Sequence, residues 1–89
     1  MLRQQITITN SKGLHARAAT RLVKSASQFQ SSISIELAGN TADCKSVMSV
    51  LLLAATVNSQ IEIITDGPDE HTAMEQICQL FADKFDEGT

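Results

Sequence analysis

The chain has 89 residues, of which 43% are hydrophobic and 19% charged, and a formal net charge of -3. A chain of this length makes one small domain, residues 1–89, that buries roughly 60 to 65% of its unfolded surface, so chemistry has to happen at the surface rather than in an enclosed chamber. The acidic balance and an aromatic content of three Phe residues, none in a strand-like run, exclude a nucleic-acid platform, and the longest purely apolar run, residues 50–55, is far too short to cross a bilayer.

In chain order, the N-terminus Met1-Leu2-Arg3-Gln4-Gln5 lacks the apolar stretch of a targeting signal, which makes the cytoplasm the expected location. Gln5-Ile6-Thr7-Ile8-Thr9 alternates as a half-buried strand. Asn10-Ser11-Lys12-Gly13 is a turn cluster, and from Ala16 to about Phe29 the residues Ala19, Leu22, Val23, Ala26 and Phe29 follow helical spacing. Residues 32–37 alternate again, and Gly39-Asn40 reads as a tight turn into a short strand ending near Cys44 or Lys45. Ser46 stands as an N-cap before a short helix reaching about Ala55, with Ser49 in place of the Glu or Gln of a capping box. This run is apolar nearly all round, so most of it is expected to fill the core, leaving a residual exposed patch. Residues 60–65 return to period two, and after Asp66-Gly67-Pro68 the acids Asp69 and Glu70 suit the start of a last helix. Its buried stripe is predicted as Ala73, Met74, Ile77, Cys78, Phe81 and Phe85. The order β-α-β-β-α-β-α with one-sided strands calls for an α+β open-faced β-sandwich, a four-stranded antiparallel sheet with three helices on one face.

Two features bear on chemistry. Gly13-Leu14-His15-Ala16-Arg17 places a histidine and an arginine where a turn feeds a helix, and the unpaired N–H groups and positive dipole end at such a junction favour an anion. The dipole and Arg17 both disfavour imidazolium, which leaves the ring as a nucleophile, so His15 is read as a phosphoryl acceptor. Arg17, Arg21 and Lys24 recur at i, i+4 and i+7, a basic stripe leading away from His15 that suits an acidic partner. No paired carboxylates or metal-ligand spacing accompany His15, so nothing is there to activate water, and neither metal nor cofactor is expected. Cys44 and Cys78, far apart in the chain and in no CxxC pattern, read as reduced structural thiols, and His71 as an exposed helix-start histidine. Residues 39–46 approach a phosphate-binding P-loop, but Cys44 stands where its second glycine must be.

The string Gly13-Leu14-His15-Ala16-Arg17-Ala18-Ala19, together with Lys45-Ser46-Val47-Met48 farther on, closely resembles the HPr family of histidine-containing phosphocarriers of the bacterial phosphoenolpyruvate-dependent phosphotransferase system, including its nitrogen-related NPr branch. The resemblance spans nearly the whole chain. It implies the same open-faced fold and a stoichiometric carrier rather than an enzyme. It also implies phosphorylation of His15 at Nδ1 by enzyme I, with charge held by Arg17 and the backbone of Ala16 and Arg17, and onward transfer to an acceptor of the EIIA type for sugar uptake or regulation. The resemblance further makes Ser46 a regulatory site for an HPr kinase/phosphorylase, with Lys45, Val47 and Met48 as the docking sequence around it; the basic stripe through Arg21 and Lys24 and the residual apolar patch at Met48 and Leu51 or Leu52 are the expected partner-docking surface of a monomer. One departure is Ala18, where many members carry proline; alanine keeps its N–H and starts a helix well, so carrier chemistry is expected to survive with altered exchange rates. An alternative of another class is a ferredoxin-like regulatory module that binds small molecules between subunits, which would need no histidine at the helix start.

Overall fold

The computed structural model describes residues 1–86, and among them four strands and three helices: β1 (Leu2–Thr7), α1 (Ala16–Ala26), β2 (Ser32–Leu37), β3 (Asn40–Asp43), α2 (Val47–Leu53), β4 (Gln60–Asp66) and α3 (Glu70–Ala82). The strands form one fully antiparallel sheet in the order β1-β4-β2-β3. Each crossover helix therefore joins two parallel strands with a third strand lying between them.

Period-two patterning sets which face of the sheet is covered. On β4, Ile61, Ile63 and Thr65 are buried, and they pair with Ile6, Ile35 and Ile33 of the flanking strands. The intervening Glu62 and Ile64 point to the open face, where Glu62 ion-pairs with Arg3 on β1. One apolar cluster joins the covered face to Ala18, Ala19, Leu22 and Ala26 of α1, Val50 of α2, and Ala73, Ile77 and Phe81 of α3. Cys44 lies inside it, and burial pushes its thiol up to about 12; Cys78 is half-buried, and both are free thiols.

Five expectations shift. The first strand begins at Leu2 and ends at Thr7 because β4 runs to Asp66 and offers Leu2 a partner in Thr65. Ile8 is nevertheless fully buried, exchanging backbone hydrogen bonds with Asn58 and Ser59. The first helix stops at Ala26, with Phe29 folded back half-buried against the core. The hairpin turn is Ala38-Gly39, both at positive φ (51° and 85°), and Asn40 is already in β3. The second helix ends at Leu53, because Ala54 adopts the left-handed conformation (φ 55°) that closes a helix. Phe85 is buried but not by helical spacing: α3 ends at Ala82, and positive φ at Lys84 and Phe85 turns the chain so that the Phe85 ring meets Phe81 edge-on, centroids 4.8 Å apart.

The expectation that the apolar run of α2 mostly fills the core is also overturned. Of the described α2 residues Val50 alone is buried, Val47 and Leu53 pack against the cluster only in part, and Met48 (66% exposed), Leu51 (36%) and Leu52 (76%) face outward. A two-turn helix lying on a small domain has one face to give to the core, so the other stays in solvent whatever its composition.

Candidate functional site

The loop of residues 8–15 is built to deliver His15 to the start of α1. Asn10 and Gly13 close a tight turn, with the Gly13 N–H donating to the Asn10 backbone carbonyl at 3.0 Å and the Asn10 side-chain amide donating to the Gly13 carbonyl at 2.7 Å. Gly13 sits at φ 62°, and a β-carbon there would fall 2.6 Å from the Ala55 carbonyl oxygen and 2.8 Å from Thr56 Cα. Only glycine lets the loop come this close to the segment that follows α2. The approach is fastened by the Leu14 N–H, which donates to the Ala55 carbonyl at 3.0 Å, while the Leu14 side chain is buried in the core.

His15 is the N-cap of α1. Its backbone is extended (φ -77°, ψ -179°), its carbonyl accepts from the Ala19 N–H at 2.8 Å, and its ring Nδ1 accepts from the Arg17 backbone N–H at 3.3 Å. Imidazole here takes the place of the Ser, Thr, Asp or Asn that usually caps a helix. The contact aims the Nδ1 lone pair at the helix end, and it is long for a bond from an N–H, so the Arg17 N–H gives it up to another acceptor at little cost. The ring is half-buried, and Ala16 and Arg17 beside it are exposed. Two shallow clefts, of about 230 Å³ beside Asn40, Thr41, Ser49, Leu52 and Leu53 and about 210 Å³ beside Ile6, Thr9, Cys78 and Phe81, do not include His15. The histidine stands on the surface, where a macromolecule can reach it.

The structure divides the other sequence-selected residues into two sets. Lys24 is exposed on the helix that His15 opens, and Met48, Leu51 and Leu52, at i, i+3 and i+4, make an apolar stripe on α2, which packs beside α1. Arg21 and Lys45 are engaged within the molecule: the Arg21 guanidinium donates to the Phe85 carbonyl, and the Lys45 ammonium to the Phe29 carbonyl at 2.8 Å. Each straps down a chain segment just beyond a helix. Ser46 caps α2, its hydroxyl accepting from the Ser49 N–H at 3.2 Å, while the Ser49 hydroxyl accepts from the Asp43 N–H at 2.8 Å and ties the helix to β3. Sequence reasoning missed the roles of Asn10, which it placed only in a turn cluster although its contact with Gly13 is local, and of the Ala55-Thr56 backbone, for which the sequence carries no signal because that contact joins segments distant in the chain.

With this geometry in hand, comparison with known proteins is decisive: residues 2–83 match the family described as "PTS HPr component phosphorylation site". The chain belongs to the HPr family. It is 45% identical to the phosphocarrier protein HPr of Xylella fastidiosa (strain Temecula1 / ATCC 700964) over the full length of both chains. It is 40% identical to the phosphocarrier protein NPr of Shewanella violacea, with 99% of this chain and 97% of that one covered. The crystal structure of HPr-C-His from Thermoanaerobacter tengcongensis superposes with a TM-score of 0.94 at 33% identity and 98% coverage of each chain. An HPr dimer from the same organism also superposes, at a TM-score of 0.77 and 33% identity, covering 96% of this chain and 98% of that one. HPr proteins are phosphocarriers rather than enzymes, and the open antiparallel sheet with three helices is theirs. Among the described residues no helix is long and apolar enough to cross a membrane.

Proposed function

We propose that this HPr-family member accepts a phosphoryl group on His15 Nδ1 from the phosphohistidine of enzyme I, charged by phosphoenolpyruvate, and passes it to an EIIA-type protein. The observation that carries the reading is the capping contact between His15 Nδ1 and the Arg17 N–H at the start of α1. In the forward step the Nδ1 lone pair attacks phosphorus in line as the donor's N–P bond breaks, and the electron pair of that bond returns to the donor imidazole. The Arg17 N–H is then free to donate to a phosphoryl oxygen, and the N–H of Ala16 and the exposed Arg17 guanidinium supply further donors and positive charge. The same groups hold the phosphate in the open, which keeps it transferable.

Docking falls to the apolar stripe of Met48, Leu51 and Leu52 with Val47 at its edge, rimmed by Arg17 and Lys24. This composition suits an apolar patch with an acidic margin on each partner. Arg21 and Lys45 contribute by shaping that surface and adding charge, since their hydrogen-bonding groups already hold Phe85 and Phe29. Ser46 is the regulatory site: an HPr kinase/phosphorylase would place about two negative charges at the α2 start, beside Met48, where they oppose docking of an acidic partner without unfolding the helix. Residues 1–89 act as one domain, a cytoplasmic monomer that needs no metal or cofactor.

The deciding experiment is intact-mass measurement after incubation with phosphoenolpyruvate and a general enzyme I, with His15→Ala as control. An acid-labile gain of one phosphoryl group in the wild type alone supports the carrier reading. No gain with several such enzymes, on folded protein, sinks it.

A further inference from the structure

Asn10 is one of three buried polar residues among those described, with 1% of its surface exposed, and it lies five positions before His15. Burying a side-chain amide is costly unless it is hydrogen-bonded, so a buried asparagine in a surface loop is held there by what it bonds. Its amide nitrogen donates to the Gly13 carbonyl at 2.7 Å, while its backbone carbonyl accepts the Gly13 N–H at 3.0 Å. Both polar groups of Gly13 are thereby gripped by one residue. Gly13 is the left-handed hinge of the loop, and its carbonyl belongs to the peptide whose N–H, on Leu14, donates to Ala55. That peptide is therefore pinned at both ends, by Asn10 on the oxygen and Ala55 on the nitrogen. The next residue along, His15, carries the imidazole whose Nδ1 meets the Arg17 N–H.

We infer that Asn10 is a positioning residue for phosphoryl transfer: its amide fixes the Gly13-Leu14 peptide plane and through it the direction in which His15 presents Nδ1. The inference rests on the carrier reading of His15. An aspartate at this position has the same size but a carboxylate that cannot donate to the Gly13 carbonyl, and an alanine leaves that carbonyl unclamped. In-line transfer is steeply sensitive to placement of the nucleophile, displacement of about 1 Å costing on the order of 100-fold, so loss of the clamp slows transfer beyond what any loss of stability accounts for.

The test follows phosphoryl uptake from phosphorylated enzyme I by rapid quench for wild type, Asn10→Ala and Asn10→Asp. The comparison variant is a core truncation at Ile77 of α3, to Val or to Ala, whichever matches Asn10→Ala in urea midpoint. The expected result is uptake slowed about 10-fold or more in both Asn10 variants and within twofold of wild type in the Ile77 variant, with the Arg17 amide resonance displaced only in the former. A readout on unmodified protein stands beside it: the side-chain amide protons of Asn10 should exchange far more slowly than those of an exposed asparagine, before and after phosphorylation. Wild-type uptake rates in the Asn10 variants, or Asn10 amide protons that exchange like exposed ones, overturn the inference while leaving the carrier reading intact. Failure of the wild type itself to take up phosphate overturns the carrier reading instead.

Discussion

Replacing Gly13 by alanine tests the claim that the site is built by close approach of two loops. The substitution forces an L side chain into φ 62°, which costs about 1 to 2 kcal/mol. The new β-carbon would also stand 2.6 Å from the Ala55 carbonyl oxygen and 2.8 Å from Thr56 Cα. Both neighbours are backbone, so relief requires the segment after α2 to move, at about 1 to 3 kcal/mol. That movement stretches the 3.0 Å bond from the Leu14 N–H to Ala55, worth about 1 kcal/mol, while reduced freedom of the unfolded chain returns about 0.4 to 1 kcal/mol. The net loss is about 2 to 5.5 kcal/mol, a large share of the stability of a domain this size. Gly39 supplies an internal comparison, because it sits at φ 85° with nothing within 4 Å of the added carbon, leaving a net cost of about 1 kcal/mol. The protein has no Trp or Tyr, so urea unfolding is followed by far-ultraviolet circular dichroism. With a slope of about 1 kcal/mol per molar urea, Gly13→Ala should lower the midpoint by about 2 M or more and Gly39→Ala by about 1 M. Equal midpoint shifts for the two variants would refute the close approach as the reason for glycine at position 13.

Ala38 occupies φ 51° in the two-residue hairpin with Gly39, so Ala38→Asn should raise the urea midpoint, by about 0.5 to 1 kcal/mol in stability; an unchanged or lower midpoint would contradict the turn assignment. The Asp69 carboxylate accepts from the Ser31 hydroxyl and from the N–H groups of Gln30 and Ser31, and these bonds hold its pKa below the ordinary 3.8. A folded value below the unfolded one means the contribution is complete above about pH 4 and is lost as pH falls through the folded value, so melting curves should show wild type losing its advantage over Asp69→Asn as pH drops from 4 towards 2. Parallel curves over that range would show that Asp69 does not couple to folding. Cys44 is buried with its thiol pushed up to about 12, whereas Cys78 is half-exposed although burial raises its thiol too, so a thiol reagent at pH 8 should titrate Cys78 slowly in native protein and Cys44 only on unfolding. Two fast-reacting thiols in native protein would mean the Cys44 site opens without global unfolding.

Much of the site is legible without the fold, because its chemistry is local. His15, Ala16 and Arg17 are adjacent in sequence, and a helix beginning at Ala16 brings the Arg17 N–H to the His15 ring with no help from distant residues. The N-cap at Ser46 is legible for the same reason: the hydroxyl reaches a backbone N–H three residues on. The basic stripe is right as a spacing and incomplete as a surface. Arg17, Arg21 and Lys24 do share one side of α1, but the chain reversal at Lys84 and Phe85 brings a carbonyl to Arg21, and no local pattern announces a reversal made by two non-glycine residues at positive φ. The α2 run errs in the opposite sense. Apolar composition says that burial is favourable, not that the space exists, and Met48, Leu51 and Leu52 stay outside because Val50 and its neighbours already occupy the face turned to the core.

By itself the sequence determined the element order, the one-sided strands and the place of His15 at the start of a helix, since each follows from side-chain periodicity and turn chemistry that span a few residues. Only the tertiary structure decided which strands are neighbours, that the Ala55 carbonyl holds the Leu14 N–H, and which side of α2 meets solvent. Those outcomes depend on contacts between segments far apart in the chain, and such contacts are selected by how the whole set of apolar faces closes on one core rather than by any stretch of sequence alone.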